Sequence, residues 1–175
     1  MSSKRYNVLT ISDIQAPFHH PDTLDFLRDT YRRWKCNKVI CMGDELDYHA
    51  ISFHTKDPDG MGAMDEFREG IKFMKKLYKL FPKVQAVTSN HTARPFRVAN
   101  HYGIPSHFLK GYKELLEAPR GWSWQDRVIC DDVLYFHGEG YSGKYGALNA
   151  AFRNRMSTAI GHLHAFGGVL YHAKC

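Results

Sequence analysis

The chain has 175 residues, 43% hydrophobic and 24% charged, which is ordinary for a folded protein and enough for a sizeable core. No apolar run nears the ~20 residues that span a bilayer, and no signal-peptide core precedes the first expected strand, so a cytoplasmic protein outside the membrane is expected. A net charge of +6 and a pI near 9.1 permit a polyanionic partner such as nucleic acid without demanding one.

Residues 6–11 read as an apolar strand ending at Ser12, Asp13, Ile14 and Gln15. A helix from Pro21 or Asp22 is expected next, because Leu24, Leu27, Tyr31 and Trp34 recur at helical spacing and Pro21 suits a first turn. Val39, Ile40, Cys41 and Met42 form a second short apolar run that stops at Gly43 and delivers Asp44, Glu45 and Asp47. Residues 49–62 are polar, contain Pro58, Gly60 and Gly62, and read as a loop. A second helix is expected over 65–81, with Phe67, Ile71, Met74, Tyr78 and Phe81 on one face. Lys72, Lys75, Lys76 and Lys79 lie opposite and read as a solvated face rather than a phosphate-binding stripe. Pro82 stops that helix.

A third strand, 83–88, ends at Ser89, Asn90 and His91. Residues 93–120 are mixed, with a helical piece near 112–117. Residues 127–130 and 133–136 flank Asp131 and Asp132 as a hairpin whose second strand ends at His137 and Gly138. A helix over 143–155 would place Tyr145, Leu148 and Phe152 on one face. A strand at 157–160 then leads into Gly161, His162, Leu163 and His164, and a last strand-like piece covers 167–172. With no repeat and no low-complexity tract, residues 1–175 read as one domain. Cys36, Cys41, Cys130 and Cys175 show no CxxC spacing and are expected as reduced, mostly buried thiols.

Five strand ends therefore carry polar side chains: Asp13 with Gln15, Asp44 with Asp47, Asn90 with His91, His137, and His162 with His164. Carboxylate oxygen, amide oxygen and neutral imidazole are ligands for hard and borderline divalent cations. A two-metal centre needs about four ligands per ion around a shared carboxylate. Asp44 suits that shared role, because Gly43 allows a tight exit and buried parallel strands place chemistry past their carboxyl ends. Taken singly each motif is weak, since a lone histidine is more often a hydrogen-bonded structural residue. Their joint order, each after an apolar strand, is the signal.

That order, DIQ, GDELD, SNH, FHG and GHLH, resembles the calcineurin-like metallophosphoesterase family, whose pattern is D-x-H, G-D-x-x-D, G-N-H, a lone H and G-H-x-H. It covers Asp13 to His164. The blocks ISDIQAPFHHPDTLDFL and NAAFRNRMSTAIGHLH are similar to phage-encoded members, which would place the protein in a host cytoplasm. The resemblance implies an α/β fold, a four-layer sandwich of mixed sheets flanked by helices. It implies two divalent ions, manganese first, with iron, zinc, nickel or magnesium as alternatives. Asp13, Gln15, Asp44 and His164 would hold one ion, and Asp44, Asn90, His137 and His162 the other. A hydroxide activated by both would attack a phosphoester of a nucleotide or nucleic acid. His91 would be the general acid, oriented by Asp47, on an extended segment that points it away from Asn90. Arg94 is either a contact to a phosphate oxygen or a surface arginine.

Three departures from the family pattern bear on these expectations. Gln15 stands where the family has histidine and predicts a weaker, harder first site; some relatives that cleave nucleotide pyrophosphate linkages also carry it. Ser89 replaces a glycine. Eleven residues follow His164, fewer than in most members. His19, His20, His49, His54, His101, His107 and His172 read as surface, loop or supporting residues, with His49 and His54 nearest to any substrate. The competing functions are a phosphomonoesterase, protein phosphatase included, and an inactive binding scaffold of the same fold.

Overall fold

The computed structural model describes residues 5–171. Its first sheet is parallel, in the order β1 (Val8–Ile11), β2 (Lys38–Cys41), β3 (Val84–Val87) and β4 (Trp122–Gln125). In the second, β5 (Val128–Cys130) runs antiparallel to β6 (Val133–Phe136), and β6 pairs in parallel with β7 (Ser157–Ile160). Five helices accompany them among the described residues: α1 (Thr23–Arg33), α2 (Ala63–Leu80), α3 (Arg94–His101), α4 (Tyr112–Leu115) and α5 (Gly146–Asn154). Single 3₁₀ turns lie at His49–Ile51 and Ser106–Phe108. The protein is α/β with mixed pairing, and no described helix is long and apolar enough to cross a membrane.

Alternation along the short strands sorts their side chains onto two faces. Leu9, Ile11, Val39, Cys41, Val84, Ala86 and Trp122 join a core with Leu27 of α1 and Ile71, Met74 and Leu77 of α2. Ile40, Met42 and Val87 point the other way, into a second core with Val128, Cys130 and Tyr135. The far side of the second sheet seats Leu134 and Phe136 on Ala150 of α5. Both Met74 and Leu77 are fully buried, so truncating either to alanine removes about 2–5 kcal/mol.

The helices agree with local electrostatics. α1 has Asp25 in its first turn and Arg32 and Arg33 in its last; α2 has Asp65 and Glu66 at its start and Lys79 at its end. The four expected lysines of α2 are exposed, with Lys72 paired to Glu69 at 2.5 Å and Lys75 to Glu117 at 2.6 Å. Asp131 and Asp132, at φ 49° and 62°, make the two-residue turn between β5 and β6, a left-handed pair that matches strand twist.

Several expectations are corrected. Trp34 is not on the inner face of α1; it caps the helix and is exposed. Helix α3 lies where a mixed stretch is expected; Pro95 falls in its first turn, where it costs no hydrogen bond. Strand β4 is unanticipated because Ser123 and Gln125 break any apolar run; Trp122 is wholly buried there and its indole N–H donates to the Phe81 carbonyl at 2.8 Å. α5 presents Gly146 and Ala150 inward and leaves Tyr145 and Phe152 exposed, because its small residues allow close approach to the sheet. Residues 167–171 form no strand: Gly167 and Gly168 weaken extended pairing, and Val169 and Tyr171 are exposed. His172 and Cys175 lie outside the described residues, and Cys36, Cys41 and Cys130 are free thiols.

Candidate metal centre

The carboxyl ends of β1, β2, β3, β6 and β7 converge on one cluster. Four of its residues hold left-handed backbone: Asp13 at φ 53°, Gln15 at 51°, Asp44 at 53° and His162 at 67°. Such conformations cost a side-chain-bearing residue about 1–3 kcal/mol and persist where the surroundings over-determine them. Here hydrogen bonds do so. The Asp13 N–H donates to the Gly43 carbonyl at 3.1 Å and the Gln15 N–H to the Asp44 carbonyl at 2.8 Å. Ser89 Oγ accepts the Asp44 N–H at 3.0 Å, and both oxygens of Asp13 accept the His162 N–H, at 3.1 and 3.0 Å.

Two glycines make the crowding possible. Gly43 sits at φ 94°, and a Cβ there would lie 2.5 Å from that of Ser89. A Cβ at Gly161 would collide with Ser12 Oγ and sit 2.5 Å from Asp13 Oδ2.

The side chains form one continuous chain of contacts. Asp44 and His137 are buried at its centre. His137 Nδ1 lies 2.8 Å from the Met42 carbonyl, which can only accept, so Nδ1 carries the proton and donates. The lone pair of a neutral ring is then on Nε2. That atom faces Asn90 Oδ1 at 2.7 Å, Asp44 Oδ2 at 3.3 Å and His162 Nδ1 at 3.2 Å. Lone pairs thus converge, and protons or a cation relieve them. Asp44, His137 and His162 each offer a ligand atom within 4.8 Å of the others. This donor set fits a divalent cation. A proton serves in its place: burial pushes the His137 imidazole down, but the hydrogen bond and charge of Asp44 outweigh it and raise it. Burial likewise pushes Asp44 up, while His137, His91 and Ser89 together hold it below the usual carboxylate range.

A second group lies toward the rim. His164 Nε2 is 3.1 Å from Asp13 Oδ1 and 3.5 Å from Gln15 Nε2, and the His164 side chain is 56% exposed. On the other flank, Asp44 Oδ1 accepts the His91 N–H at 3.2 Å. His91 Nε2 stands 3.9 Å from Asp44 Oδ2, and its Nδ1 is 3.1 Å from Asp47 Oδ1, without hydrogen-bond alignment. Arg94 donates to the Asp47 carbonyl at 2.6 Å and lies 3.9 Å from its carboxylate; only 15% of its side chain is exposed, so it is not a free surface arginine. Asn90 and His91 occupy a turn, not an extended segment; the turn, rather than alternation, sends them to different partners.

The sequence reading brings Asp13, Gln15, Asp44, Asp47, Asn90, His91, Arg94, His137, His162 and His164 into view, and all ten meet here. It misses their supports. Ser89, read only as a departure from glycine, also accepts the Thr92 N–H at 3.1 Å. Glu45, wholly buried, accepts from Trp124 Nε1 at 2.8 Å and the Tyr112 hydroxyl at 3.2 Å. Glu66 accepts the N–H groups of His49 and Ala50, both at 2.7 Å, and ties down the loop after Asp47. Glu45 and Glu66 give no local signal beyond being carboxylates in apolar surroundings.

No family model matches the chain, and no curated protein matches it. Among solved structures it is similar to YfcE, a phosphoesterase from E. coli, at 15% sequence identity and a TM-score of 0.40. The likeness covers 77% of this chain and 59% of that one, so the chain spans less than two thirds of that structure. The functional reading rests on the side chains themselves.

Proposed function

We propose that the protein is a divalent-metal-dependent phosphoesterase of the calcineurin-like kind, acting on a phosphodiester of a nucleotide or nucleic acid. The observation that carries the reading is the convergence of lone pairs around His137 Nε2, among Asp44, Asn90 and His162. The three packed cores, with helices outside each sheet, support a four-layer sandwich as its frame. Free thiols support a reducing cytoplasm, the host's if the chain is phage-encoded.

Asp13, Gln15, Asp44 and His164 would hold one ion; Asp44, Asn90, His137 and His162 would hold a second. Bound there, two divalent cations, manganese first, supply Lewis acidity toward a phosphoryl oxygen and acidify the attacking water. The protein's own groups do the rest. Asp44, anchored by Ser89, contributes the shared negative charge. His137 is fixed in one tautomer by the Met42 carbonyl, which keeps Nε2 available. His91 protonates the departing oxygen, and Asp47 beside Nδ1 sets the ring's direction. Arg94 steadies Asp47, and its remaining N–H groups face developing charge on phosphate.

The test is turnover of bis-p-nitrophenyl phosphate and p-nitrophenyl phosphate with manganese, alongside metal analysis. A diesterase favours the first substrate and Asp44→Asn abolishes both metal content and turnover. His91→Asn keeps its metal and loses about 10²–10⁴-fold with an alkoxide leaving group, less with p-nitrophenolate. Preference for the monoester assigns the phosphatase reading; no turnover of either assigns the scaffold. Loss of one metal in His91→Asn would move His91 into the coordination shell.

A further inference from the structure

Beside the metal centre, a cavity of about 650 Å³ opens between the end of β3, helix α3 and the Ser106–Phe108 turn. Its size and mainly apolar lining, with a few polar groups, suit a small organic ligand. Ala93, Phe96, Arg97 and Asn100 line it at helical spacing, while Arg94 on the same helix turns to Asp47. No acid lines it. Arg97 is the charged side chain of the lining, so the wall favours an anionic occupant.

The chemistry of the wall is that of base recognition. Phe96 and Arg97 offer planar groups for stacking, and the Asn100 carboxamide offers a donor and an acceptor side by side. Beyond Asn100 the rings continue: His101 meets Phe53 at 5.2 Å and Tyr102 at 5.0 Å, with Phe53 and Tyr102 exposed. Cavity and cluster share one turn. Thr92 lines the cavity, the preceding His91 faces Asp44, and Ser89 Oγ bonds both Thr92 Oγ1 at 2.7 Å and the Asp44 N–H. Consecutive Cα atoms are about 3.8 Å apart, so a phosphate over Asp44 and a base in the cavity lie within one nucleotide's reach.

We propose that this cavity takes the base of a nucleotide. It is the substrate's own base where the hydrolase reading holds, and the inference rests on that reading for this word alone.

The experiment has two arms on the full chain. In the first, calorimetry on metal-free protein compares adenosine 5′-monophosphate with ribose 5-phosphate. The base should tighten binding by about tenfold or more, as stacking contacts typically do. Ile104→Trp, which fills the cavity, should remove that gain and leave ribose 5-phosphate unchanged. Arg97→Ala, at an exposed position, should weaken both while the circular dichroism stays that of wild type. In the second arm, Ile104→Trp should raise KM for thymidine 5′-p-nitrophenyl phosphate by about tenfold and leave bis-p-nitrophenyl phosphate unaffected. Equal affinity for the two ligands, or equal KM changes for the two esters, overturns the cavity assignment while hydrolysis stands. Base-dependent binding lost in Ile104→Trp, with neither ester hydrolysed by wild type, upholds the cavity and removes the hydrolase.

Discussion

Glu45 is the residue next to Asp44, and its removal should be costlier than its neutralisation. The carboxylate is wholly buried; Trp124 Nε1 donates to Oε1 at 2.8 Å, the Tyr112 hydroxyl to Oε2 at 3.2 Å, and Cys41 Sγ lies 3.7 Å from Oε1. Glu45→Ala strands two part-buried donors at about 1–3 kcal/mol each and opens a small cavity, for a loss of about 3–6 kcal/mol. That is a large share of the ~5–15 kcal/mol of a typical domain. Glu45→Gln keeps an oxygen for Trp124, and its amide can donate to the Tyr112 oxygen, whose proton then turns elsewhere. It also removes a charge that burial disfavours; burial is what pushes the Glu45 carboxyl up. Its cost should be within about 1 kcal/mol of zero. Urea denaturation of metal-free protein measures both. Equal losses in the two variants would mean that charge, not acceptor capacity, is what the site requires, and a loss below about 1 kcal/mol in Glu45→Ala would remove the network argument altogether.

Gln15→His should tighten metal binding by about 10–100-fold, since imidazole replaces a neutral amide; calorimetric titration showing equal or weaker affinity would take Gln15 out of the ligand set. Arg94→Ala should lower kcat with alkoxide leaving groups by about 10–100-fold through a loosened Asp47 and His91, with metal content unchanged; a change confined to KM would make it a substrate contact only. Gly161→Ala should lose metal and about 1–3 kcal/mol of stability, because its Cβ has no room beside Ser12 and Asp13; a variant that binds metal as wild type would contradict that packing. His19 packs against Phe73 at 3.9 Å with the rings tilted, and burial, then Lys76, push its imidazole below 6.5. The fold therefore prefers the neutral ring: this stabilisation is full above about pH 6.5 and is lost as pH falls through the lower folded value. Between pH 8 and 5 the thermal midpoint of wild type should fall further than that of His19→Leu; parallel curves would refute the shift.

What was legible in the sequence follows from the chemistry of ligation. Only a few side chains bind hard cations, and a parallel sheet gathers its carboxyl ends, so polar residues after apolar runs marked Asp13, Asp44, Asn90, His137 and His162 without a structure. Helix α2 was legible because eighteen residues hold its apolar stripe in phase. Helix α3 and strand β4 were not, since Pro95 interrupts the pattern of the one and Ser123 and Gln125 leave the other without an apolar run. The supports were hidden for a different reason. Glu45 meets Trp124 across 79 positions, and no local pattern encodes such a pair. Ser89 makes the point most sharply. Against the family pattern it is a substitution for glycine, and alone it suggests a disturbed turn. In the fold it stands where Gly43 has no side chain, and a Cβ on both would lie 2.5 Å apart. Its hydroxyl takes the Asp44 N–H and so holds that residue at φ 53°, the angle that turns its carboxylate toward His137. The glycine of one strand end and the serine of the next are therefore one packing arrangement, and exchanging either alone should cost the orientation of Asp44.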